Sequence, residues 1–189
     1  MDKSKITVTT ALLAAAAFII FLFVGFSIGS GGSPLLVVLA LASVGALIYF
    51  FVSGNKKEVV LDDAALADAR RMQAPSGMAR LYIVRQGFVG GQQGMDVAIG
   101  ETYRGQIKSG RALVADLPPG PHALSVRMAR GGDKSNASLA LDLAADSVTV
   151  VKATSSMGTT TAALQLSVMT DMSAARADLD KARFLAWHS

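Results

Sequence analysis

Between Lys5 and Lys56 the chain runs for 50 residues without a single charge. No other feature restricts the fold as strongly, because a run that long and apolar must be kept from water. The other 139 residues carry all 32 charges, an ordinary density for a water-facing domain, although the whole chain is only 17% charged. The average therefore conceals two populations, one read as a membrane segment and one as a soluble region. A wholly soluble protein and a disordered one are excluded. The absence of cysteine excludes a disulfide-stapled secreted domain.

Residues 10–28 and 35–53 are separate apolar runs, divided by Gly29-Ser30-Gly31-Gly32-Ser33-Pro34. Nineteen residues of helix span roughly 28 Å, close to a hydrocarbon core. Glycine and proline interrupt a helix and favour a turn. This pattern predicts a two-helix transmembrane hairpin over 10–53. A cleaved signal peptide is the rival, but the first run is long for one and no Ala-x-Ala site precedes the second. Lys3 and Lys5 flank the first run, and Lys56 and Lys57 follow the second. The bias of basic residues toward the cytoplasm then puts both termini and the soluble domain inside, on a bacterial inner membrane. Tyr49, with Phe50 and Phe51, falls at the expected interface. Membrane lipid is one expected partner. The small-xxx-small pairs Gly25/Gly29 and Ala42/Ala46 suit hairpin packing, a homo-oligomer or docking on another membrane protein. Neither run holds an ionisable residue, which argues against independent transport.

Five segments follow: an arm (1–9), the hairpin (10–53), an amphipathic connector (54–78), a β-domain (79–170) and a C-terminal helix (171–189). In the connector, Leu61, Ala65, Leu66, Ala69 and Met72 recur at helical spacing. Asp62 and Asp63 stand at its start, Arg70 and Arg71 at its end, as the helix dipole favours. From Ala79 the period changes to two. Leu81/Ile83, Met95/Val97/Ile99, Leu113/Ala115, Leu124/Val126/Met128, Leu139/Leu141/Leu143 and Leu164/Leu166/Val168 alternate, separated by Gly- and Pro-containing turns. This predicts a seven- to eight-stranded antiparallel β-sandwich. Asp171 or Ser173 can cap the last helix, which is expected to reach Trp187. It packs on the sandwich, or docks on lipid or a partner.

Several of these residues are familiar together. Ala79-Arg80-Leu81-Tyr82-Ile83-Val84-Arg85, then Val97-Ala98-Ile99-Gly100, Gly110 and Leu117-Pro118-Pro119-Gly120-Pro121-His122-Ala123-Leu124 resemble a bacterial domain-of-unknown-function family of small envelope β-sandwiches, with a PEGA-like or transthyretin-like pattern. The likeness covers roughly 79–168 and implies a sandwich fold. It implies no catalytic residues. Many members are lipoproteins, whereas this chain has no cysteine.

The chemistry-bearing residues are sparse. His122 and His188 are the two histidines; the first follows a proline turn in register with apolar positions, and the second is penultimate. No His cluster has metal-ligand spacing, so neither a metal nor another cofactor is expected. The loop from Gly87 to Gly94 is glycine-rich, but a strand follows it and it holds no lysine, so it is not a phosphate loop. Its Phe88, Gln92 and Gln93, with Phe184 and Trp187 near the C-terminus, are the candidate partner contacts. Residues 79–189 carry 12 basic and 9 acidic groups without clustered aromatics, which argues against nucleic acid. The function expected is a non-catalytic accessory or scaffold protein presenting a sandwich for protein contact. The alternative is an envelope-facing module for a small ligand or envelope component.

Overall fold

The structure, a computed structural model, describes residues 35, 38, 41–45, 49, 54–87, 91–129, 135–157 and 162–188. The chain divides into two compact units, Met1–Ser53 and Gly54–Ser189. In the first, the described residues are helical. Among the described residues no helix is long and apolar enough to cross a membrane. That finding overturns the transmembrane hairpin and the multi-pass inner-membrane placement built on it. The physical reason is that freedom from charge records avoidance of water and does not name the medium that replaces it. Most of 10–53, together with Lys3 and Lys5, lies outside the described residues.

In the second unit the described residues form nine strands and two helices: α1 (Asp63–Arg70), β1 (Ala79–Arg85), β2 (Met95–Ile99), β3 (Tyr103–Ile107), β4 (Arg111–Leu117), β5 (Gly120–Met128), β6 (Asn136–Leu143), β7 (Val148–Met157), β8 (Ala162–Val168), α2 (Met172–Lys181) and β9 (Arg183–Leu185). Five strands form one sheet in the order β8-β7-β1-β4-β9, and four form another in the order β3-β2-β5-β6. The sheets are not all antiparallel as expected, for β7 runs parallel to β1 and β9 parallel to β4. The second pairing has a clear cause. A helix between two strands of one sheet lets the second strand run parallel to the first, and α2 carries the chain from edge strand β8 to the opposite edge at β9.

The C-terminal helix accordingly ends at Lys181, not Trp187. Asp171 caps its start, its carboxylate accepting the Ser173 and Ala174 N–H groups at 2.9 and 3.1 Å. Beyond the helix the chain alternates. Phe184 and Leu185 point to opposite faces of the five-stranded sheet, each into an apolar layer. That alternation makes residues 183–185 a strand.

There are two such layers. Leu81, Ile83, Val97, Ile99, Leu113, Leu124, Val126 and Leu143 fill the space between the sheets. Tyr82, Val84, Ala112, Val150 and Phe184 meet Ala69 of α1 and Ala175 and Leu179 of α2 on the far side. Strand β1 belongs to both layers, and all seven of its residues are buried. Hence its sequence is apolar on both faces, as strands covered twice must be. Its two arginines are held differently. Arg80 donates to Asp68 of α1 at 2.6 Å and, through two nitrogens, to Asp116 of β4 at 2.7 and 2.8 Å. The Asp116 carboxylate raises its pKa further above the ordinary range, more than burial lowers it. Arg85, only 1% exposed, donates to the Gln93 and Ile107 carbonyls at 2.6 and 3.1 Å. Burial lowers its pKa to about 10. The arginines thus tie helix to sheet and loop to core.

Candidate functional site

The two outer faces of this unit differ. Helices α1 and α2 cover the five-stranded sheet, whereas the outward side chains of the four-stranded sheet are short or polar. Strand register sets these in rows. Gln106, Asp96, Arg127 and Asn136 are cross-strand partners in one row; Arg104, Ala98, Ser125 and Ser138 form the next. With strands about 4.8 Å apart, each row spans about 14 Å. Ala98, Ser125 and Ser138 are too short to rise above the backbone, so they make a low floor between longer neighbours. The result is an open trough of about 510 Å³.

One rim of this trough is built by the start of the connector. Asn55 donates to the Gln92 carbonyl at 3.0 Å and accepts the Gly94 N–H at 2.6 Å. Gln106, 6% exposed, donates to the Gly54 carbonyl at 3.1 Å and accepts the Lys56 N–H at 2.7 Å. Position 94 must be glycine for this clamp. A Cβ there would lie 2.3 Å from the Gln106 side chain, well inside contact distance. The backbone of Lys56 is thereby fixed, and its side chain lines the trough.

The charges are unequal. Among the described residues, Lys56, Arg104 and Arg127 face the trough against one acid, Asp96. That carboxylate already accepts the Gln106 amide at 2.8 Å and stands 3.6 Å from Arg127. Arg104 is oriented by donating to the Gly100 and Tyr103 carbonyls. Ser125, Ser138 and Asn136 add hydroxyl and amide groups, both donors and acceptors. Chemically the trough suits a ligand with negative charge and hydrogen-bonding groups.

The residues singled out by sequence fall mostly elsewhere. Phe184 is 2% exposed, edge-on to Tyr82 with ring centroids 6.1 Å apart, so it is a core residue and not a surface contact. Trp187 donates its indole N–H to the Val114 carbonyl at 2.6 Å and packs edge-on to Tyr103 at 5.1 Å. Partly buried, it packs against the inter-sheet core beside β3 and β4. Gln92 is exposed, and the carbonyls of Gln92 and Gln93 serve Asn55 and Arg85. Phe88 lies outside the described residues. Tyr49 and Lys57 are exposed.

Lys56, marked in the sequence only as a neighbour of an apolar run, belongs to the trough. Arg104, Ser125, Arg127, Asn136 and Ser138 were not singled out. The available signal was parity: Ser125 and Arg127 alternate with buried Leu124, Val126 and Met128, and so must face outward together. Among the described residues no three His, Asp or Glu side chains converge to hold a metal. His122 is engaged at the strand start, its Nε2 2.8 Å from the Pro118 carbonyl. The chain matches no known family model and no curated protein.

Proposed function

We propose that this chain is a non-catalytic accessory or scaffold protein that uses its two-sheet domain for protein contact, through the outer face of the four-stranded sheet. The observation that carries the reading is the contrast in cover among the described residues: one outer face lies under two helices, and the other has a floor of small side chains with no described element over it. Supporting it, the buried ionised groups Arg80 and Arg85 are engaged with the frame, where they serve folding. The turn pattern resembling small envelope sandwiches, itself proposed as kinship, fits a binding module without catalytic residues.

A photo-crosslinking amino acid at Ser125 tests this in cells. It should yield one discrete adduct that the same probe at Arg176, on the exposed side of α2, does not. Equal adducts from both positions, or none from Ser125, would sink the reading. A second reading, a small-ligand module, is favoured by the trough volume, which lies among those of ligand pockets, about 300–1,000 Å³. It predicts a low-mass compound released on denaturing the purified protein and no protein adduct at Ser125.

A further inference from the structure

We infer that the occupant of the trough is an extended acidic segment of the partner protein, read through its carboxylates by Lys56, Arg104 and Arg127. This rests on the docking role proposed for the same face and specifies its chemistry. Three observations lead there.

The first is sign. Among the described residues three cations line the trough against Asp96, whose charge is already engaged by Gln106 and Arg127. The uncompensated charge is positive. Two of the three cations are guanidinium groups, planar forks that match a carboxylate.

The second is shape. The floor through Ala98, Ser125 and Ser138 is continuous across three strands. A row of about 14 Å accommodates about four residues of extended chain. Side chains larger than serine or alanine would block it.

The third is the mode of contact left open. Strands β2 and β5 under the floor are paired on both sides, so an added strand cannot pair over the floor itself, and only the edge strands β3 and β6 present a sheet edge. Over the floor recognition runs through side chains, and the described lining contains no aromatic ring on which a nucleobase would stack. Charge and hydroxyl groups remain, and these suit Asp- or Glu-bearing peptide.

The test uses the full chain and a fluorescein-labelled octapeptide alternating glutamate and serine, followed by fluorescence anisotropy. Two control peptides replace every glutamate by glutamine or by lysine. The glutamate peptide should bind, the controls should not, and binding should weaken about tenfold or more between low and high salt as screening shortens the reach of the charges. Arg104→Glu should abolish binding of the glutamate peptide, since it leaves two cations against two acids in the trough. Lys56→Glu provides a second variant, because that residue is held through its backbone N–H and its side chain is exposed. Lys57→Glu, outside the trough lining, should change affinity less than about twofold.

Equal binding of the glutamine peptide, binding that ignores the Arg104 and Lys56 variants, or full competition by inorganic phosphate at lower concentration would overturn the inference. Failure of the glutamate peptide while Ser125 still crosslinks a protein would overturn the acidic segment alone. Failure of both would remove the docking role as well.

Discussion

The two outer faces of the domain are built on one plan of alternation and end differently. On the five-stranded sheet the outward residues include Tyr82, Val84, Ala112 and Val150. Left in water, they would forfeit roughly 1.5–3 kcal/mol for each large side chain. Helices from both ends of the unit supply their cover: α1 precedes the first strand and α2 follows the eighth. On the four-stranded sheet the outward residues include Asp96, Ala98, Arg104, Ser125, Arg127, Asn136 and Ser138, none of which gains much from burial. The first face is therefore tied to stability, while the floor of the second, through Ala98, Ser125 and Ser138, can change at little cost to the fold. That freedom makes the bare face the place to look for function.

The largest expected effect belongs to the covered face. Phe184→Ala removes a ring that is 2% exposed and packed against Tyr82. It should cost about 3–5 kcal/mol, as for other buried aromatic truncations. Chemical denaturation of this variant beside Arg127→Ala measures the contrast directly. A loss below about 1 kcal/mol for Phe184→Ala would abolish the distinction between the faces.

The next effect lies between the sheets. Gly105 faces the inter-sheet core, where a Cβ would stand 2.9 Å from a Leu113 methyl and 3.1 Å from the Trp187 ring. The indole is anchored by its N–H to Val114 and cannot withdraw freely. Gly105→Ala should therefore destabilise by about 1–3 kcal/mol, the cost of overpacking a filled core. Pairing it with Trp187→Phe in a double-mutant cycle should recover part of that loss. Strictly additive losses would mean that the tail does not pack on this side.

How much of this was legible follows from the range of each interaction. Period-two alternation in residues 95–99, 111–117 and 120–128 marks buried and exposed faces from neighbours alone, and those strands appear in place. The capping role of Asp62 was equally local, its carboxylate accepting the Ala65 N–H at 2.8 Å. Strand β9 was not legible, because three residues become a strand only through a partner about 70 positions earlier, Arg111 to Leu113 of β4. Without that partner, Phe184 and Trp187 look like exposed anchors. The place of Lys56 beside the trough was not legible for a similar reason: its clamp to Gln106 joins residues 50 positions apart. The long charge-free run showed the same weakness, since local composition does not identify what replaces water.

A smaller effect tests the covered face through pH. Tyr82 donates its hydroxyl to the Ala69 carbonyl at 2.6 Å, and burial raises its pKa above the ordinary value. The unfolded phenol loses its proton near pH 10. This contribution is therefore full below pH 10 and is lost as pH rises through the folded value. Arg85 acts in the opposite sense. Burial lowers its pKa to about 10 in the folded state, below the ordinary arginine value, so above pH 10 the unfolded state binds more protons and stability rises. Both groups are present in the parent chain, and Tyr82→Phe removes only the first. The variant should lose about 1 kcal/mol at pH 7. That deficit should narrow as pH climbs above 10, followed by urea denaturation across the range. A constant deficit would mean that the hydroxyl is not protected from titration in the fold.

The smallest effect on stability should accompany the largest effect on binding. Ser125 and Ser138 are cross-strand partners and exposed. Ser125→Ala and Ser138→Ala should each stay within about 0.5 kcal/mol of the parent in denaturation, as surface changes do. Ser125→Trp should also leave the fold intact, because the ring projects away from the inter-sheet core, yet it fills the low floor. Binding of the glutamate peptide should survive the alanine changes with modest weakening and be lost in the tryptophan variant. Loss of stability on raising the floor would show that this face, too, is packed against something the fold requires, and the contrast between the two faces would then fail on its bare side.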